Sequence, residues 1–143
     1  RVLILGSVPS VKSVENNFYY MHPKNRFWKV LSCLYDVDLY SMSVEERIGF
    51  LHKHHIALYD SVEECDIEAS KDSAISNVTP ADIPSLLAKS KISRIYCNGK
   101  ASYRYLLSAY PEYEKMTVLL PSTSPANAQY SLEKLVFEWR TIL

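Results

Sequence analysis

Four short apolar runs divide this chain: Val2–Leu5, Ile56–Asp60, Ile92–Cys97 and Met116–Leu120. Each is too brief for a buried helix. Three of them stop abruptly at residues that turn the backbone: Gly6-Ser7, Asn98-Gly99 and Pro121. The segments between them carry helical periods. Short, uniformly apolar strands alternating with helices are covered on both faces, as the strands of a parallel sheet are. The pattern predicts an α/β fold, a three-layer α/β/α sandwich around a central four-stranded parallel sheet. In such a sheet the carboxyl ends of the strands share one edge, and ligands bind there.

The helices announce themselves by spacing and caps. Phe27, Trp28, Leu31, Leu34 and Tyr35 repeat with a 3.6-residue period, so a helix begins near Asn25-Arg26. Ser43 with Glu46 three residues on is a capping-box signature, opening a helix that runs to about His52. Sequence from there to Thr79, after the Ile56–Asp60 strand, is polar and weakly patterned. Thr79-Pro80-Ala81-Asp82 reads as another helix start with Pro80 at the first helical position, and Ile83, Leu86 and Leu87 form its apolar face. Lys100 to Tyr110 is a helix closed by Pro111, and Ser131 caps a last one bearing Leu132, Leu135, Val136 and Trp139. Lys12 to Lys24 reads as a loop.

At 143 residues the chain is most simply one domain, 1–143, large enough to bury about two-thirds of its unfolded surface. It opens on a strand without Met, as a trimmed N-terminus does. Sixteen basic residues balance sixteen acidic ones, which argues against a protein held on DNA by a broad basic face. A small enzyme gripping a few phosphates through backbone N–H groups, hydroxyls and helix N-termini is still allowed. No apolar run approaches the ~20 residues of a membrane helix. Cys33, Cys65 and Cys97 are odd in number, far apart and without CxxC spacing. That usage fits a reducing compartment, the cytoplasm, better than a disulfide framework, an iron–sulfur cluster or a structural zinc. His52, His54 and His55 sit at a helix end, where cationic side chains suit the dipole, with no acidic or cysteine partner at ligand spacing. No metal and no cofactor are expected, and neither GxGxxG nor GxxxxGK[ST] occurs.

Three strand-end loops therefore converge on one edge: Gly6–Ser13, Asn98-Gly99 and Pro121–Asn127. Taken singly, each is ordinary turn chemistry. A further segment from Phe18 to Trp28 gathers aromatics with His22-Pro23 and Asn25-Arg26. Aromatic faces beside amide and imidazole groups suit a flat, hydrogen-bonding ring such as a nucleobase.

In this order, the strand-Gly-x-x-Pro loop, Tyr20-Met21-His22-Pro23-Lys24-Asn25-Arg26-Phe27-Trp28, the strand ending in Asn98-Gly99 and Ser122-x-Ser124-Pro125 before the Ser131-Leu-Glu-Lys-Leu helix resemble the uracil-DNA glycosylase superfamily. The likeness spans nearly the whole chain and leans toward its hypoxanthine-DNA and mismatch-specific branches. Two positions depart from the uracil enzymes. Val8 stands where many relatives place a polar residue that positions the attacking water, and Val8 can neither donate nor accept a hydrogen bond. Ser122 stands in the place of the late-motif histidine. The hypoxanthine branch has a Gly-Ser-x-Pro-Ser first loop and a compensating asparagine, whose position here is Asn25.

The resemblance implies a monofunctional hydrolase acting on a deaminated base in double-stranded DNA, most closely hypoxanthine, working as a monomer. Asn25 and the position of Ser122 are its catalytic places, although Asn25 also suits a helix cap. Tyr20 is the platform for the extruded base, or else a packing tyrosine; stacking of this kind contributes about 1–3 kcal/mol. His22 pairs with the base edge or orders its loop, and Asn98 reads the Watson–Crick edge or simply turns the chain. Gly6 and Val8 line the base. Ser7, Ser10 and Ser124 contact phosphates, and Pro125, Ala126 and Asn127 enter the duplex, with Ala126 or its neighbour as the wedge. The other readings are a uracil or mismatch enzyme, and a non-catalytic nucleic-acid-binding domain on the same fold, for which the missing polar groups at Val8 and Ser122 argue.

Overall fold

Strand β1 (Val2–Gly6) forms the middle of the sheet, with β2 (Ile56–Asp60) on one side and β5 (Arg94–Asn98) on the other. A computed structural model describes residues 1–7, 19–20, 24–66 and 76–143. Strand β6 (Thr117–Leu120) completes a four-stranded sheet in the order β2-β1-β5-β6, and every pairing in it is parallel. The register places Gly6 opposite Asp60, Leu5 opposite Cys97, and Asn98 opposite Leu120. Gly6, Asp60, Asn98 and Leu120 thus end side by side on one edge.

Alternation along the strands sorts the core into two layers. Ile4 and Tyr96 point to one face, where they meet Phe27, Trp28 and Leu31 of α1 (Phe27–Tyr35), Phe50 and Leu51 of α2 (Val44–Lys53), and Leu135 and Trp139 of α5 (Leu132–Trp139). Leu3, Leu5, Ile95 and Cys97 point to the other, against Ile83 of α3 (Ile83–Ala88) and Leu106 of α4 (Lys100–Ala109). Strands covered on both sides have no polar face to alternate with, which is why Val2–Leu5 reads as a continuous apolar run. The three-layer sandwich expected from the sequence is the fold observed.

Local chemistry sets the helix starts. The Ser43–Glu46 capping box is complete, each side chain bonding the other's backbone N–H. Ser131 caps α5 through the Lys134 N–H. Trp139 Nε1 donates to the Pro121 carbonyl at 2.9 Å, tying the last helix to the loop after β6.

Three expectations need correction. The weakly patterned stretch before Thr79 contains an antiparallel pair, β3 (Val62–Asp66) and β4 (Ser76–Pro80), whose register shifts twice within five residues. Such irregularities break the period of two by which a strand is read. Pro80 therefore ends β4, a terminal place where the missing N–H costs little. Asp82 caps α3 instead, with Pro84 in its first turn. In addition, Met116 belongs to a 3-10 segment, Pro111–Met116, so that β6 starts one residue later than its apolar run.

Candidate active site

The carboxyl edge of the sheet gathers side chains from four separate parts of the chain. Asp60, at the end of β2, lies against Gly6: a Cβ built on Gly6 would come within 2.6 Å of Asp60 Oδ1 and 3.1 Å of the Tyr20 hydroxyl. Burial pushes the Asp60 carboxyl up to about 6, and among the described residues no hydrogen bond or positive charge opposes the shift. The Tyr20 ring stacks on Phe27 at 4.1 Å between centroids and 24° between planes. Its backbone is in the left-handed region, φ 56°. The hydroxyl is buried, and no hydrogen bond of normal geometry reaches it among the described residues. Burial, then the Asp60 charge, holds its proton far above the usual tyrosine range, opposed only in part by the Asn98 amide. Tyr19 beside it is pushed up to about 12, first by burial and then by Asp60 and Tyr59. Both phenols keep their protons at any working pH.

On the other side of Gly6, the buried residues Asn98 and Thr123 are clasped together. Thr123 N–H donates to Asn98 Oδ1 at 2.9 Å, and Asn98 Nδ2 donates to Thr123 Oγ1 at 3.0 Å. The Thr123 hydroxyl in turn donates to Asn25 Oδ1 at 2.8 Å, which also accepts the Phe27 N–H at 3.0 Å. Asn25 therefore does bond the first turn of α1, from one residue before the cap position occupied by Arg26.

Arg26 fastens the loop after β6 to this helix start. Its backbone N–H donates to the Thr123 carbonyl at 3.0 Å. Nη2 donates to the carbonyls of Ser124 and Asn127 at 2.9 and 3.0 Å, and Nη1 to that of Tyr130. Inside the loop, Ser122 Oγ accepts the Ser124 N–H at 3.1 Å, Ser124 Oγ accepts the Ala126 N–H at 3.1 Å, and Asn127 Nδ2 donates to the Ser122 carbonyl at 3.0 Å. Pro125 and Ala126 are left exposed at its tip. Gly99, at φ 98°, lets the turn after β5 pass Ser122: a Cβ there would lie 3.1 Å from Ser122 Cβ.

Of the residues singled out from the sequence, Gly6, Tyr20, Asn25, Asn98 and Ser122 to Asn127 are brought to this edge, and Ser7 follows Gly6 directly. Val8, Ser10 and His22 lie outside the described residues. Asn98, expected to read a base edge or to turn the chain, has its carbonyl and one amide proton engaged by Thr123. Ser122 spends its hydroxyl oxygen on the turn. Sequence reasoning missed Asp60, Thr123 and Arg26. Asp60 was discoverable, as the one acidic residue closing a strand at the ligand-bearing edge. Among the described residues no cluster of three metal-ligating side chains occurs and no helix is long and apolar enough to cross a membrane. A cavity of about 440 Å³ lined by Val2, Tyr19, Leu51, Ile56 and Ile92 opens near the amino ends of β1 and β2.

A family model for the uracil DNA glycosylase superfamily matches residues 1–141. The chain belongs to that superfamily and is a DNA glycosylase. It is 33% identical over 145 residues to a hypoxanthine DNA glycosylase of Methanosarcina acetivorans, covering 99% of this chain and 89% of that protein. A hypoxanthine DNA glycosylase of Methanosarcina barkeri is 33% identical over 131 residues, with coverages of 89% and 80%. The solution NMR structure of a candidate uracil DNA glycosylase from Methanosarcina acetivorans superposes with a TM-score of 0.83 at 31% identity, covering 99% of this chain and 88% of that one.

Proposed function

We propose that this glycosylase releases hypoxanthine from DNA in which adenine has been deaminated, acting as a monomeric, monofunctional hydrolase in the cytoplasm. The observation that carries the reading is the half-buried Asp60 carboxylate beside Gly6 at the carboxyl edge of the sheet, ionised above about pH 6. An ionised carboxylate only accepts hydrogen bonds. Deamination turns adenine N1 from an acceptor into an N1–H donor, so Asp60 rewards the damaged base and repels the intact one. The names of the two archaeal relatives support the same substrate. Uracil presents an equivalent N3–H where cytosine presents a lone pair, so a uracil-releasing activity is the second reading.

Around that contact the remaining parts take roles. Tyr20, held on one face by Phe27, offers its ring to the extruded base, and Gly6 leaves the room for both base and carboxylate. Asn25 acts at the glycosidic bond. Ser7, Ser10 and Ser124 hold phosphates, while the exposed Pro125-Ala126 tip with Asn127 enters the duplex. Val8 and His22 complete the base lining, and Ser122 shapes the loop. Extrusion costs a few kcal/mol, and less at a mismatched pair, which adds selectivity.

A lesion panel tests this. Duplexes carrying inosine, uracil, xanthine or only normal bases are incubated with the protein and then treated with alkali, which breaks the strand at abasic sites. Breaks at inosine above all others are expected, with guanine, which shares the N1–H but adds a 2-amino group, as the stringent control. Binding without breaks at any lesion would overturn the assignment.

The close approach at Gly6 gives a second check. Gly6→Ala forces a methyl against Asp60 Oδ1 and the Tyr20 hydroxyl, both of which are side-chain ends able to shift. The fold is expected to survive, with an unchanged circular dichroism spectrum. The displaced groups should lower the single-turnover rate on inosine by about 100-fold, the usual effect of a misplacement near 1 Å.

A further inference from the structure

We propose that Thr123 is a positioning residue that presents Asn25 to the substrate as a hydrogen-bond donor; this rests on the reading of Asn25 as a catalytic residue. The two ends of an asparagine amide are ordinarily hard to tell apart. Here backbone N–H groups, which can only donate, settle both amides. The Phe27 N–H lies 3.0 Å from one end of the Asn25 amide, which must be Oδ1. The Thr123 N–H lies 2.9 Å from one end of Asn98, which must likewise be its oxygen. Asn98 Nδ2 is thereby turned onto Thr123 Oγ1 at 3.0 Å, and the hydroxyl accepts there. Its single proton goes to Asn25 Oδ1, 2.8 Å away. The relay has one direction, from Asn98 through Thr123 to Asn25.

Both lone pairs of Asn25 Oδ1 are then occupied, one by the Phe27 N–H and one by the Thr123 hydroxyl. What Asn25 has left is Nδ2, with two protons and no hydrogen-bond partner among the described residues. An oxygen filled in this way does not accept a proton from an attacking water. The free NH2 instead donates to an oxygen or ring nitrogen of the departing base. In the reaction the bond from the sugar carbon to the base nitrogen breaks with its electron pair on the base. The water oxygen bonds to that carbon, and one water proton ends on the released base. Asn25 exchanges no proton; it stabilises charge gathering on the leaving group. Thr123 is wholly buried, and all three of its polar groups are used, the carbonyl by the Arg26 N–H.

Three variants test the relay on the inosine duplex, beside wild type and Asn25→Ala. Thr123→Val keeps the side-chain shape and removes the hydroxyl. Its kcat should fall about 10- to 100-fold, with KM and duplex affinity within about threefold, since only orientation at the reacting atoms is lost. Thr123→Ser restores the hydroxyl and should return most of the kcat. Asn25→Asp exchanges the donor for an acceptor of the same shape and should be as inactive as Asn25→Ala at neutral pH. Wild-type kcat in Asn25→Asp, or in a folded Thr123→Val, overturns the donor assignment while leaving Asn25 catalytic. Full activity in Asn25→Ala overturns the reading beneath it as well. Asn25→Asp decides the question even if Thr123→Val does not fold.

Discussion

Replacing Asn25 with alanine is expected to reduce hypoxanthine release from an inosine duplex by at least about 100-fold, the scale on which loss of one preorganised hydrogen-bond donor is felt. The measurement is a single-turnover rate, with duplex affinity taken alongside by a mobility shift. The same substitution removes two structural hydrogen bonds, those to the Phe27 N–H and the Thr123 hydroxyl. A stability cost of about 1–2 kcal/mol should accompany it, as for other losses at a helix start. Against a typical domain stability of roughly 5–15 kcal/mol, that leaves the protein folded. Rate and stability must therefore separate: a large kinetic loss in a protein whose melting temperature drops only a few degrees. Full activity in the variant would remove Asn25 from the chemistry.

Asp60→Asn should move activity and stability in opposite directions. The folded-state carboxyl titrates at about 6, above its ordinary value of 3.8, because burial disfavours the charge. A raised carboxyl favours the fold while protonated, so its contribution is fully present below about pH 4 and is lost as pH rises through 6. At pH 7 the buried charge costs up to about 3 kcal/mol, which an amide does not incur. The variant is expected to melt several degrees higher than wild type at pH 7 and to converge with it near pH 4. Its hypoxanthine release should fall about tenfold, since a neutral acceptor holds the base N–H less strongly than a carboxylate. The acid limb of the pH–rate profile near 6 should vanish as well. A retained limb would show that another group produces it. Surplus stability given up at a working site is a common trade.

The layers of this fold were open to a reader of the sequence because their signals are local. Val2–Leu5 is apolar throughout because it is covered on both faces, and neighbouring residues report that together. Ser43 and Glu46 announce their helix within four positions. Where the local signal is irregular, as in β3 and β4 with their shifted register, the sequence shows no strand and its pattern puts Pro80 in the following helix. In the sequence Asp60 does not stand out, because an acidic residue closing a strand is also an ordinary turn residue. Its significance comes from Gly6, Tyr20 and burial.

By itself, then, the sequence determined the parallel sheet, the edge at which its loops meet, and the family likeness carried by Tyr20 to Trp28. Periodicity, caps and motifs are written in adjacent residues, and each is legible without knowing what lies across the molecule. Only the tertiary structure decided which atoms of those residues are still free to act. Asn25 and Thr123 are 98 positions apart, and Asn98 and Thr123 are 25 apart, so no local pattern links them. The direction of their hydrogen bonds follows from two backbone N–H groups that the fold alone brings into place, and that direction leaves Asn25 a donor.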